Sequence, residues 1–96
     1  MSEHFLVAEG HCLAVFNSTH RVLQAEALLK QFNLPFLLIP APRALQTDCG
    51  LALRFDRQEA GRILAQLDEH DLQPAFVSCL TNGTYQPYED SLPCRP

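Results

Sequence analysis

The sequence contains no apolar run long enough to cross a bilayer. Its apolar stretches, such as residues 12–16 and residues 36–39 with Leu34 nearby, are far shorter than the roughly 20 residues that a transmembrane helix needs. The N-terminus also lacks the basic segment and the long apolar stretch of a signal peptide. The chain has 96 residues, 47% of them hydrophobic, and we therefore predict one folded cytoplasmic domain.

Positive charge is scarce and scattered along the chain. Seven Lys and Arg stand against 11 Asp and Glu, which gives a formal net charge of −4. Sequence-independent binding to nucleic acid and binding to an anionic membrane surface both rely on clustered positive charge. We therefore expect neither a nucleic acid nor a membrane as a partner.

Closely spaced cysteines are absent as well. The four cysteines are Cys12, Cys49, Cys79 and Cys94. No two of them are close enough to form a CxxC motif, and the four histidines are also scattered. We therefore predict no metal site and no cofactor. In a reducing cytosol we expect four free thiols rather than two structural disulfides.

Hydrophobic periodicity predicts the element order β-α-β-β-α-β. The predicted strands are residues 12–16, 36–39, 51–55 and 75–80. The first helix is predicted over residues 19–32, because apolar residues recur there at spacings of three and four. Asp56 and Glu59 resemble a capping box at the start of the second helix. From Thr81 onwards, Asn82-Gly83 and three prolines predict an irregular tail.

This order predicts an α+β fold, a ferredoxin-like sandwich with a four-stranded antiparallel sheet and both helices on one face. Right-handed crossovers give the strand order 4-1-3-2. The chain then divides into an N-terminal extension (1–11), a ferredoxin-like domain (12–80) and an irregular C-terminal tail (81–96). Because strands one and four are antiparallel neighbours, Cys12 is predicted to approach Cys79, away from Cys49.

Three loop segments converge at one edge of the predicted sheet. They contain Ser18, Thr19 and His20 after the first strand, Arg43 after the second, and Cys49 and Gly50 before the third. The first turn of a helix carries unpaired N–H groups and the positive end of the helix dipole, which favour a reactive thiolate nearby. Arg43 and His20 would add positive charge, and Gly50 would admit a partner close to the sulfur. Asp48 counts against the thiolate, because a neighbouring carboxylate disfavours a second negative charge.

These residues also have purely structural interpretations. Cysteine is often a small buried apolar residue, and Cys49 would then be an ordinary loop residue. Ser18 would only cap the first helix. His20 and Arg43 would be solvated surface residues.

The same segments resemble a known protein family. The matching residues are Phe16, Ser18, Thr19 and His20 leading to Ala25-Glu26, then Pro40, Pro42 and Arg43, and finally Cys49-Gly50 before residues 51–55. In this order they resemble the small bacterial family of selenium/sulfur carrier protein-like proteins over about residues 12–80. Three ordered motifs are more specific than any one of them alone. The resemblance implies that Cys49 carries sulfur or selenium as a persulfide or perselenide.

Two functions remain open at this point. The first is a carrier, rather than a free-standing enzyme, that exchanges sulfur or selenium with a donor such as a cysteine desulfurase and with an acceptor protein. The second is a noncatalytic interaction or regulatory module, in which the sheet face without helices is covered by a homodimer or another protein. RNA binding is less well supported, because residues 51–55 lack the exposed aromatic side chains of an RNA-binding strand.

Overall fold

The computed structural model describes residues 6–88 as an α+β fold of five strands and two helices. The strands are β1 (His11–Val15), β2 (Leu37–Pro40), β3 (Leu51–Asp56), β4 (Phe76–Thr81) and β5 (Thr84–Pro87). The helices are α1 (Thr19–Gln31) and α2 (Ala60–Glu69). Short 3₁₀ turns span Arg43–Leu45 and Arg57–Glu59. Neither α1 nor α2 has the length and apolar content that a helix needs to cross a membrane.

The sheet is antiparallel, with the strand order β2-β3-β1-β4-β5. The prediction of four strands is wrong, because a fifth strand pairs with β4 where an irregular tail was predicted. Asn82 and Gly83 have positive φ angles of 53° and 77°, and Thr81 lies opposite Thr84. A two-residue turn with these angles has the twist that joins antiparallel strands into a tight hairpin. The predicted irregular structure of residues 89–96 lies outside the described residues.

Helix α1 begins and ends near the predicted residues. Ser18 Oγ accepts a hydrogen bond from the Arg21 backbone N–H at 3.2 Å and so caps the N-terminus. Asn33 follows the helix with a positive φ of 56°, a backbone conformation that commonly ends helices. Phe32, the last residue of the predicted helix, follows α1 and is 44% exposed, and its ring lies 5.8 Å from that of His70.

Helix α2 does not start with the predicted capping box. The Asp56 side chain makes no cap hydrogen bond, and a 3₁₀ turn (Arg57–Glu59) precedes the helix. The Asp56 carboxylate lies 3.5 Å from the His11 imidazole on the neighbouring strand instead. The β1–β3 register explains this difference, because it places His11 directly opposite Asp56.

The main core lies between the sheet and both helices. Strand residues of this core include Cys12, Ala14, Leu53, Phe55 and Cys79, and helix residues include Val22, Ala25, Leu29, Ala60, Ile63 and Leu67. In β1 and in β3 these residues stand two positions apart, and in each helix they stand three or four apart. Both helices therefore pack on one face of the sheet, as predicted.

A second apolar cluster covers part of the opposite face. It contains the buried residues Val7, Leu13, Val15, Ile39 and Ala52. Leu6 packs against this cluster, and its carbonyl oxygen accepts a hydrogen bond from Arg54 Nη1 at 2.7 Å. Residues 6 and 7, which were assigned to an extension, thus cover the sheet face that lacks helices.

Cys12 and Cys79 lie directly opposite each other on β1 and β4, which confirms that they approach each other. The prediction that both are free thiols is wrong, because a disulfide joins them. Adjacent side chains of paired strands point to the same face of the sheet, so the two sulfurs meet in the core beneath the helices. Because the disulfide uses Cys12 and Cys79, Cys49 is the described cysteine that keeps a free thiol.

Candidate functional site

Strand register brings the three predicted loop segments to one edge of the sheet. Val15, at the end of β1, lies opposite Ala52, near the start of β3. Pro40, at the end of β2, lies opposite Leu51. The backbone N–H of Ala41, which follows Pro40, donates a hydrogen bond to the Gly50 carbonyl oxygen at 2.8 Å. The segments containing Ser18, Arg43 and Cys49 therefore leave the sheet from the same side.

Cys49 is half-buried immediately before β3. Its thiol lies 3.3 Å from the Leu51 carbonyl oxygen and donates a hydrogen bond to it. Thr47 Oγ1 accepts a hydrogen bond from the Gly50 backbone N–H at 2.9 Å, which closes a short turn around Cys49. The thiol is thus held by its own loop and retains contact with solvent.

Gly50 is needed here for its backbone conformation. Its φ angle is +76°, a region that residues with a side chain rarely adopt. A Cβ atom built at this position would have no heavy atom within 4 Å. The space next to the turn is therefore open, as a site for a reacting partner would require.

The remaining predicted site residues lie along the same edge but have different surroundings. Thr19 and His20 are exposed in the first turn of α1, and Arg43 is exposed at the start of a 3₁₀ turn after the buried Pro42. Ser18 uses its hydroxyl to cap α1. That these residues stabilise a thiolate on Cys49 stays a prediction, because the hydrogen bond of the sulfur goes to Leu51.

Arg21 fixes the start of α1 against another loop. Its guanidinium Nη2 donates to the carbonyl oxygens of Asp71 and Gln73 at 3.1 and 3.5 Å. The loop between α2 and β4 is thereby tied to the first turn of α1. Sequence patterns gave no signal for this contact, because the partners lie 50 and 52 residues away and are backbone atoms.

The sequence patterns also gave no sign of a cleft at the opposite edge of the sheet, beside β5. Its volume is about 560 Å³, and it is lined by Glu9, Gly10, Arg57, Cys79, Leu80, Thr81, Gln86 and Pro87. Part of it is built by β5, which the sequence patterns did not predict. Within residues 6–88 there is no group of three or more histidine, cysteine or acidic side chains arranged to hold a metal ion.

The fold and the site define a small α+β domain in which the one free cysteine of residues 6–88 lies at the end of an antiparallel sheet. A family model described as "Putative Se/S carrier protein-like" matches residues 11–78, which include all three converging segments. The chain belongs to this family, as its sequence motifs predicted. Comparison with curated proteins and with solved structures finds no significant match.

Proposed function

We propose that the protein is a sulfur or selenium carrier in which Cys49 transiently holds the transferred atom. The observation that carries this proposal is the position of Cys49. It lies inside the family match, and it is the free thiol of the described chain, at a half-buried and accessible turn. A carrier needs a thiol that a partner protein can reach, and the open space beside Gly50 offers such access.

The transfer step is a thiol–persulfide exchange. The Cys49 thiolate attacks the terminal sulfur of a donor persulfide, and the sulfur–sulfur bond of the donor breaks. The donor cysteine leaves as a thiolate, and the Cys49 side chain becomes a persulfide. No net oxidation occurs, because one sulfur–sulfur bond forms as another breaks. An acceptor thiolate removes the terminal sulfur by the same reaction.

In this proposal the residues near Cys49 have a supporting role. The exposed Arg43 and the N-terminal turn of α1, with Ser18, Thr19 and His20, supply positive potential at this edge of the sheet. This potential favours the thiolate and the approach of an anionic persulfide. A cysteine desulfurase fits the donor role, because its own cysteine presents the persulfide.

Mass spectrometry of the intact protein tests the proposal. After incubation with a cysteine desulfurase and cysteine, we expect an added mass of about 32 Da, the mass of one transferred sulfur atom. Peptide mapping should place this mass on Cys49. The background for the experiment is Cys94→Ser, which removes the tail thiol and keeps Cys49 in place.

The matched control is Cys49→Ser on the same background. It should fold with nearly the same stability and show no adduct, because only the reacting sulfur is replaced. If the added mass persists in this variant, or if Cys49 remains unmodified while the donor is active, Cys49 is not the carrier group. A noncatalytic interaction module would then be the better description of the protein.

A further inference from the structure

We propose that the turn between β4 and β5 is a site of spontaneous deamidation at Asn82, and that the Glu9 carboxylate slows this reaction. The inference is independent of the carrier function, because neither Cys49 nor its loop takes part. Three features carry it: the Asn-Gly sequence of the turn, the backbone conformation of the turn, and two hydrogen bonds from its backbone to Glu9.

The Asn82-Gly83 sequence is chemically suited to this modification. Glycine has no side chain to hinder its backbone nitrogen, which attacks the Cγ atom of the preceding asparagine side chain. The nitrogen loses its proton, ammonia leaves, and a five-membered imide forms. Water then opens the imide at either carbonyl and gives aspartate or isoaspartate, with no change in oxidation state. Asn17 and Asn33 precede serine and leucine, so Asn82 is the one asparagine of the sequence with a glycine after it.

The conformation of the turn opposes closure of the imide ring. Asn82 and Gly83 are both exposed to water, and their φ angles of 53° and 77° are those of a type I′ turn. In such a turn the nitrogen of Gly83 and the Cβ atom of Asn82 lie on nearly opposite sides of the Asn82 Cα–C bond. The imide ring needs these two atoms on the same side. The reaction therefore requires rotation about this bond, which moves the Gly83 N–H group out of its position.

Glu9 holds the turn against this rotation. Its Oε1 atom accepts a hydrogen bond from the Asn82 backbone N–H at 2.9 Å, and its Oε2 atom accepts one from the Gly83 backbone N–H at 2.6 Å. Rotation breaks the bond to Gly83. The carboxylate also disfavours loss of the Gly83 proton, because the nitrogen would become a second negative charge beside the first. Both effects slow the formation of the imide.

The isoaspartate product would change the hairpin itself. Isoaspartate adds one carbon atom to the backbone of a two-residue turn, and the length of the turn sets the register of Thr81 opposite Thr84. We therefore expect the pairing of β5 with β4 to loosen, which hydrogen exchange of the β5 amides measures. The aspartate product keeps the backbone length, and aspartate is common in turns of this type. The Asn82→Asp variant, which represents this product, should keep the protection of β5.

The test follows deamidation of the full chain at mildly alkaline pH by mass spectrometry of peptides. Each event adds about 1 Da, because ammonia leaves and water enters. Glu9→Ala should speed deamidation of Asn82 roughly threefold to thirtyfold, the factor that corresponds to one or two hydrogen bonds. Glu9→Gln keeps one acceptor oxygen without the charge, and its rate should be intermediate. The matched control is Glu69→Gln, at an exposed carboxylate of α2, and it should leave the rate unchanged.

Two further measurements separate protection by Glu9 from a general loss of structure. Asn17, in the loop between β1 and α1, is an internal reference and should deamidate at the same rate in the parent chain and in Glu9→Ala. In concentrated urea both chains should deamidate Asn82 equally fast, because the contact with Glu9 exists only in the folded protein. Equal rates at Asn82 in the folded proteins would overturn the proposal. So would an equal rise at Asn17, or a difference that persists in urea.

Discussion

At the scale of single residues, the charge next to Cys49 is the simplest property to change. Asp48 is exposed and directly precedes Cys49. A neighbouring carboxylate opposes the formation of a thiolate, so Asp48→Asn should speed alkylation of Cys49 by about twofold at neutral pH. The rate is measured with a limiting alkylating agent. Asp68→Asn, on the exposed side of α2, is the control and should leave the rate unchanged.

Gly50 gives a second residue-scale prediction. Gly50→Ala places a side chain at a φ of +76° and should lower the free energy of unfolding by about 1 kcal/mol, although the added methyl group meets no neighbour. Gly61→Ala is the matched control, because Gly61 lies inside α2 in equally open space. There alanine should raise the free energy of unfolding by up to about 1 kcal/mol. Urea unfolding of both variants distinguishes backbone strain from a general effect of the methyl group.

At the scale of elements, periodic runs were predicted well and long-range pairs were not. Helix α1 was recognisable from its apolar spacing and from Ser18, since both signals are local in sequence. The hairpin of β4 and β5 carried a known turn signal in Asn82-Gly83, but three nearby prolines outweighed it. The interaction of Asp56 with His11 had no local signal, because strand register creates it.

For the candidate site as well, the sequence predicted local motifs but not every long-range contact. The motifs predicted that Cys49, Arg43 and the start of α1 share one edge of the sheet, and register places them there. The disulfide was not predicted, because cytosolic cysteines are usually reduced. Strand order nevertheless predicted that Cys12 and Cys79 are neighbours.

The cap of α1 yields the element-scale prediction. Ser18→Ala removes the hydroxyl that accepts the Arg21 N–H bond and should lower the free energy of unfolding by about 1 kcal/mol. Ser18→Asp should retain most of the stability, because a carboxylate also caps a helix and interacts favourably with its dipole. Urea unfolding measures the free energy of unfolding of both variants. If Ser18→Ala is as stable as the parent chain, the cap contributes nothing to the start of α1.

At the scale of the whole molecule, the disulfide is the strongest single constraint. It joins residues 67 positions apart, and the loop-closure model assigns about 4 kcal/mol to a cross-link of this length. Reduction should therefore lower the urea midpoint substantially. The control is Cys12→Ala with Cys79→Ala, which should unfold at the same midpoint with and without reductant. Equal midpoints for the oxidised and reduced parent chains would contradict the prediction.

The sheet face without helices bears on the predicted homodimer. Leu6 and Val7 cover its centre, while Leu37 and Phe76 remain 47% and 41% exposed. These two side chains lie on different strands, β2 and β4, with β3 and β1 between them. A dimer through this face stays a prediction, and the molecular mass in solution tests it.

The disulfide between β1 and β4 also makes a closed covalent ring of residues 12–79, with the loop of Cys49 inside it. A protease that cuts within this ring opens it without dividing the molecule. The bond after the exposed Arg43 is one such place. Chains clipped there should run as a single species without reductant, heavier by one water molecule, and separate into two fragments when the disulfide is reduced. Clipping would then leave Cys49 covalently attached to both halves of the protein.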